Sequence, residues 1–300
     1  MSGDRLLPAI GLRLLSVLLF ALMNVGIKLA EAGGAGLGEI LFWRQAGAAM
    51  LVGAVVLGGP GIAALRTERI GAHVLRCAIG LTAMTLTFTT LTMLPLAEAT
   101  TLGFSMPIFA TVLGALILRE PTGAWRWAAV LTGFAGVVIV AGPGAGGGVP
   151  TLGAATGIAA ALGTALVSVL LRTLGRTERP MATVFWFSVL SLAPLGIVYA
   201  LVAQAHPVET WALLLGIGLL GGAAQLAMTT SLTLGPVSVV VPMDYTALLW
   251  ATMFGWIVFD RLPAGTTWAG APVIVASGLV IVWREHRRRR AETRQVVAEG

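Results

Sequence analysis

Charge is what this chain has least of. Only 11% of its 300 residues are Asp, Glu, Lys or Arg, while 57% are apolar and the mean hydropathy is +0.91. A water-soluble domain carries about 25% charged residues, so this composition excludes one and makes the bilayer the solvent for nearly the whole chain. Cysteine occurs once, at Cys77. One thiol excludes an internal disulfide and a cysteine-based metal cluster, and its apolar helix marks it as inert packing. Lysine also occurs once, at Lys28, and histidine three times, at His73, His206 and His286. The histidines fall at span ends or in the tail, and the sequence holds neither a paired-carboxylate nor a His-Glu-x-x-His motif. A membrane-embedded enzyme needs such convergent groups, so no catalytic residue, cofactor or metal is expected.

What the chain has in abundance is long apolar runs. A hydrocarbon core of about 30 Å takes about 20 apolar residues per helix. On that ruler ten spans are expected, at about 10–30, 38–58, 71–92, 95–118, 124–141, 152–172, 181–203, 210–233, 237–259 and 266–283. The first run resembles a secretory leader because Arg5 and Arg13 precede or enter it. It continues to Ala30, well past an h-region of about 7–15 residues, and is kept as a span. Leu94-Pro95 joins the third and fourth spans, and Gly235-Pro236 the eighth and ninth. Proline starts a helix but cannot continue one, so each pair is expected to form a tight hairpin.

The net charge of +6 and the pI near 10.9 would suit a nucleic-acid binder, but topology explains the basic residues better. Arg5, Arg66, Arg69, Arg119, Arg126, Arg172, Arg176, Arg179, Arg284 and the run Arg287 to Arg290 all fall on one face of a ten-span chain. The other face holds Glu31, Glu39, His206, Glu209 and Asp260, with little base beyond Arg261. The positive-inside rule then places both termini in the cytoplasm. The arginine run reads as an anchor against anionic lipid headgroups, and no nucleic-acid partner is expected.

The spans also repeat. A shift of 141 carries Pro95 onto Pro236 and, without a gap, Ala110 onto Ala251, Thr111 onto Thr252, Gly114 onto Gly255, Trp127 onto Trp268 and Ala135 onto Ala276. Five spans per unit is an odd number, so the second unit enters the membrane from the opposite face. Two inverted halves with a site between them is the common build of alternating-access transporters. The expected organisation is a first repeat over 1–143, a Gly/Pro-rich joint over 144–150, a second repeat over 151–284 and a basic cytoplasmic tail over 285–300.

The fourth span reads Pro95-Leu-Ala-Glu-Ala-Thr-Thr-Leu-Gly-Phe-Ser-Met-Pro107 and ends Leu118-Arg119-Glu120-Pro121, with Trp125 soon after. With ten spans in two repeats, this resembles the EamA-type branch of the drug/metabolite transporter superfamily. The likeness covers residues 10–283. The matching corner of the second half reads Phe259-Asp260-Arg261-Leu262-Pro263, its acid shifted by one position. The resemblance implies a basket of ten helices, four of each half lining a central cavity. It also implies export of small metabolites from a bacterial cytoplasm across the inner membrane, with the aromatic and amino-acid exporters as the nearest subgroup.

Polar groups inside the spans are the candidates for chemistry, because lipid makes them costly. Asp244 lies about 10 Å into the ninth span with no basic residue in that span to neutralise it. It faces a wet cavity, or carries a proton, or bonds the backbone freed after Pro242. Lys28 follows Asn24 by one turn on the same face, which suits a cavity role. Arg44 and Glu98 enter the second and fourth spans from the same side as Lys28. These three could close as an ion-pair gate, or the two cations could receive a carboxylate; for Arg44 snorkelling to the headgroups is the favoured alternative. The 141 shift pairs Phe104 with Tyr245, and Trp250 joins them as an aromatic outside the interfacial belt formed by Trp43, Trp125, Trp127, Trp211, Trp268 and Trp283. Helix packing is the alternative for each. Thr82, Thr85, Thr89 and Thr92 share one face of the third span, as Gln225 and Thr229 do in the eighth. Either group could bond a zwitterion; for the threonines interhelical bonding is favoured. Gly153, Gly157, Ala161 and Ala165 form a small-residue stripe suited to close helix packing. Pro107 and Pro242 are the expected bending points.

The expectation is therefore a ten-helix secondary carrier that exports small metabolites, above all amino acids including aromatic ones, by alternating access. Drug or other metabolite efflux on the same fold and a passive channel are the alternatives. The small-molecule substrate and membrane lipids are the expected partners, and a monomer the expected assembly.

Overall fold

The computed structural model describes residues 6–117, 124–141, 149–174, 177–234 and 241–298. Among them stand α1 (Leu6–Ala32), α2 (Leu37–Gly58), α3 (Ile70–Met93), α4 (Leu96–Gly103), α5 (Met106–Ile117) and α6 (Ala124–Ala141). They continue with α7 (Thr151–Leu174), α8 (Pro180–Val202), α9 (Val208–Leu234), α10 (Ala247–Phe259) and α11 (Gly265–Ala298). The described residues contain no strand. Seven helical stretches are long and apolar enough to cross a bilayer alone, and three shorter apolar ones complete ten crossings. The fold is an all-α integral membrane protein of two inverted five-crossing repeats.

Local chemistry sets the helix ends. Gly33 to Gly36 turn the chain between α1 and α2, with Gly34 at φ +88°. Glu39 then accepts the Gly36 N–H at 2.8 Å and so satisfies a free donor of the first turn of α2. The hairpin expected at Leu94-Pro95 forms: α3 stops at Met93, α4 starts at Leu96, and the Ala99 N–H donates to the Pro95 carbonyl at 3.1 Å. At the other corner Asp260 takes the left-handed conformation, φ 50°, as the cap of α10, and Arg261 N–H donates to the Gly255 carbonyl at 2.9 Å.

Two expectations are corrected in detail. The fourth crossing is two helices, not one, broken at Phe104-Ser105. Ser105 restarts it: its carbonyl accepts the N–H groups of Ile108 and Phe109 at 3.0 and 3.1 Å, and Pro107 sits in the first turn of α5, where its missing N–H costs nothing. The described part of the ninth crossing opens as a 3₁₀ turn, Val241–Thr246, which holds Pro242. The backbone of the basic tail is helical, because α11 runs unbroken to Ala298. The Leu118-to-Pro121 motif, the Gly235-Pro236 hairpin and most of the glycine-rich joint fall outside the described residues.

The helix contacts are reciprocal, as a two-fold relation between the halves requires. The first crossing packs on the eighth (α1 on α9) and the sixth on the third (α7 on α3). The first also meets the ninth, and the sixth meets the fourth. Second and seventh pair with each other, as do fifth and tenth. At α6 and α11 the relation reaches single residues. The Ser277 hydroxyl donates to the Ala129 carbonyl at 2.6 Å, and a Cβ built on Gly136 would lie 3.1 Å from the Gly270 carbonyl. The 141 shift turns Ala129 into Gly270 and Gly136 into Ser277, so each contact is the image of the other.

Small residues bring these helices together. A Cβ on Gly157 would lie 2.9 Å from Leu102, and Ala161 and Ala165 are buried, so the stripe on α7 packs against the first half as expected. The threonines of α3 do something else. Thr82, Thr85, Thr89 and Thr92 each turn their hydroxyl onto a carbonyl three or four residues back in α3. In an apolar surround this local acceptor is always at hand. Only Thr90, on another face, also reaches across, to Thr156 at 3.1 Å.

Candidate functional site

A cavity of about 200 Å³ lies between the halves, bounded by α1, α4, the end of α9, the 3₁₀ turn and α10. On α1, Arg13, Ser16, Val17, Phe20 and Asn24 face it, three or four residues apart, as one side of a helix requires. Leu96, Thr100 and Phe104 do the same from α4, while Ala247 and Ala251 leave room opposite. The surface is apolar with a few polar groups, the usual lining of an organic-ligand site.

The polar centre is an ion pair between the halves. Arg13 Nε donates to Asp244 Oδ1 at 2.5 Å, and a second guanidinium nitrogen donates to Oδ2. The side chains are unequally covered: Arg13 is 8% accessible and Asp244 34%. A planar fork against a carboxylate is the strongest pairing available to two side chains. It answers the question posed by Asp244: its carboxylate is held by Arg13 from 231 residues away, not by the backbone after Pro242. In the sequence Arg13 stands only as a flanking charge of the first span. The one available signal was that it stands inside the apolar run. The pair also breaks the two-fold relation, since the 141 shift carries Asp244 onto Gly103 and α7 holds no charged residue before Arg172.

Of the expected cavity residues, Asn24, Phe104 and Asp244 line this space. Tyr245 meets Phe104 edge-on, with ring centroids 5.0 Å apart, but its hydroxyl has no partner and is packed against Gly278 of α11. Trp250 stacks on Phe254 at 6.1 Å, outside the lining. The Thr85 hydroxyl bonds the Leu81 carbonyl at 2.9 Å, and Gln225 and Lys28, both half-buried, also lie outside it.

The expected gate of Lys28, Arg44 and Glu98 is not assembled among the described residues. Glu98 is buried and accepts the Ala264 N–H at 2.8 Å and the Thr267 hydroxyl at 3.4 Å. It thereby caps α11, whose first N–H groups have no helical partner. Arg44 does not snorkel. It is 5% exposed, with the Gln45 side chain as its hydrogen-bond partner. Glu39 at this end accepts from Gln204 N–H at 3.1 Å and lies 2.9 Å from His206 Nε2. Glu39 and His206 were legible only as loop-face charges, because nothing local pairs them. Trp43, expected in the interfacial belt, is half-buried and packs edge-on against Trp211 at 5.7 Å.

Comparison with known proteins places this geometry. The sequence model described as "EamA-like transporter family" matches residues 7–142 and 151–283. A protein named "Riboflavin transporter" from Vibrio cholerae is 32% identical over 231 residues, covering 76% of this chain and 76% of its own. Another of that name from Rhizobium johnstonii is 33% identical over 253 residues, covering 83% and 82%. A solved structure titled "Crystal structure of protein" is 19% identical with a TM-score of 0.66, covering 96% of this chain and 98% of its own, a likeness of fold.

Proposed function

The chain belongs to the EamA-like transporter family, and on that premise we propose that it is a secondary carrier of a flat, polar-edged aromatic metabolite of the riboflavin type. The observation that carries this reading is the joint one of relatives and lining. Two relatives above 30% identity are named riboflavin transporters. The cavity offers the rings of Phe20 and Phe104 for stacking, with Asn24 and Thr100 beside them for hydrogen bonds. Binding falls between two inverted halves, where rocking exposes it to either side. At about 200 Å³ the cavity is smaller than the roughly 300–1,000 Å³ of usual ligand pockets, so admission of such a solute requires α1 and α4 to part from α10. The arginine asymmetry supports a bacterial inner-membrane orientation with both termini in the cytoplasm. Repeats over 1–143 and 151–284 are then the two moving bodies.

Export of amino acids is the second reading. Arg13 and Asp244 favour it, since a base and an acid in one cavity match the two ends of a zwitterion. Counterflow in proteoliposomes tests both, with labelled riboflavin in one arm and labelled tryptophan and threonine in the other. Riboflavin entry accelerated by riboflavin on the far side supports the first reading, and acceleration by amino acids alone supports the second. Flux without trans-acceleration means a channel and refutes both.

A further inference from the structure

Arg13 and Asp244 keep hydrogen-bonding capacity that they do not spend on each other. A carboxylate offers about four lone-pair sites and donates nothing, and Arg13 fills one site on each oxygen. Among the described residues no other donor reaches Asp244, and its side chain is 34% accessible where it lines the cavity. Arg13 is 6% exposed, and its Nη1 has no hydrogen-bond partner among the described residues. An open acceptor and a spare buried donor thus stand on two residues of one lining.

The inverted build does not call for this arrangement, since the 141 shift carries Asp244 onto Gly103. Polar groups left open in an apolar lining are costly unless a ligand or water answers them, and inside a membrane they mark function by default. Their place in the lining says what could answer them. Phe20 and Asn24 follow Arg13 by two and three turns on the cavity side of α1, and Phe104 faces the same space from α4. A flat solute lying along α1 therefore sets its ring faces at Phe20 and Phe104 and one polar edge at Arg13 and Asp244.

We propose that Asp244 is a specificity-determining residue that accepts a ring N–H flanked by carbonyls, the imide edge of a flat heteroaromatic solute, with Arg13 Nη1 as donor to a flanking carbonyl. This rests on the riboflavin-type reading above and narrows it to one edge of the solute. Riboflavin carries such an edge, and it is uncharged. An uncharged imide brings no counter-ion, so Arg13 and Asp244 keep each other's charge while the solute binds. Hydrogen bonds to a charged group are the strong ones. A site built to bond an N–H also rejects an analogue lacking it far more strongly than an apolar pocket rejects an added methyl. Methylation of the imide nitrogen removes the donor and sets a methyl against a carboxylate.

The test uses the full-length protein in detergent and in proteoliposomes. Each probe is paired with its analogue methylated on the imide nitrogen: lumiflavin with its methyl derivative, and naphthalimide, a flat imide that is not a flavin, with N-methylnaphthalimide. Fluorescence titration should give the N–H member of each pair a Kd roughly tenfold to hundredfold lower. Only that member should inhibit solute exchange. Single variants strand a charge, so the comparison uses Arg13→Met with Asp244→Leu, which replaces the ion pair by apolar side chains. This double variant should unfold near the parent's Tm and bind both members of each pair equally. If it does not fold, Arg13→Gln with Asp244→Asn takes its place, and the preference should shrink, because a neutral amide accepts more weakly than a carboxylate. A preference that persists undiminished in the folded double variant means that the methyl is too large for the space, and overturns the proposal. Equal affinities in the parent, or no binding of any probe, overturn it too. Riboflavin counterflow without an N–H preference overturns it and leaves the carrier reading standing. An N–H preference that depends on Asp244 and Arg13, with no riboflavin counterflow, supports the imide acceptor and sinks the riboflavin reading.

Discussion

Replacing Asp244 with Asn should destabilise the protein more than replacing Arg13 with Gln, although both break the same bond. Removing one member of a buried ion pair costs about 3–5 kcal/mol, mostly for the charge left behind. Asp244→Asn leaves Arg13, only 8% accessible and with Nη1 already lacking a partner, at an expected cost of about 3 kcal/mol. Arg13→Gln leaves Asp244, whose 34% accessibility lets cavity water solvate it, and should cost about 1–2 kcal/mol. The double variant strands no charge and should lie within about 1 kcal/mol of the parent. The cycle then closes with a coupling of about 3–6 kcal/mol, measured by thermal or denaturant unfolding of the four proteins in one detergent. Additive costs, or a larger loss from Arg13→Gln, would refute the account of which charge is stranded. The four proteins also separate structure from transport. A double variant that is stable but exchanges no solute assigns the pair to the carrier cycle, whereas full exchange makes it a structural clasp. If protonation of Asp244 couples transport to pH, the pH profile of exchange flattens in Asp244→Asn, and an unchanged profile removes that role.

Three further outcomes follow from the packing. Gly47→Ala would set a Cβ 2.5 Å from the Gly218 backbone and should cost about 1–3 kcal/mol, while Gly53→Ala, with open space around it, should be neutral or slightly stabilising; unfolding midpoints check the contrast. Gly278→Ala would overlap the Tyr245 hydroxyl, so it should lower Tm, and Tyr245→Phe in the same protein should recover part of the loss. Recovery of nothing would mean the tyrosine is not the obstacle. Glu98→Ala uncaps α11 and should cost about 1–2 kcal/mol with no change in substrate affinity; a large rise in KM would instead place Glu98 in the transport path.

Much of the fold was legible in the sequence, because crossing a bilayer is a one-dimensional problem. An apolar run of sufficient length must become a helix, since lipid offers its backbone no other partner. Pro95 ended one helix and began the next by chemistry that acts within a few residues. The 141 shift placed Phe104 and Tyr245 as equivalents, and their rings do touch. The site was harder to read. Asn24 is legible from helical spacing and Phe104 from the repeat, and both signals lie in the sequence itself. Thr85, Gln225 and Trp250 were expected beside them and lie elsewhere, because residue type and depth do not say which way a helix is turned.

The sequence by itself determined the crossings, their inversion and the hairpin at Leu94-Pro95, all fixed by hydropathy, proline and an odd count per repeat. Only the tertiary structure decided the partners. Arg13 meets Asp244, Glu39 meets His206, and Glu98 caps α11. The reason is physical. Hydropathy and proline act within a turn or two of the chain, whereas charge acts through space on whichever side chain folding brings near.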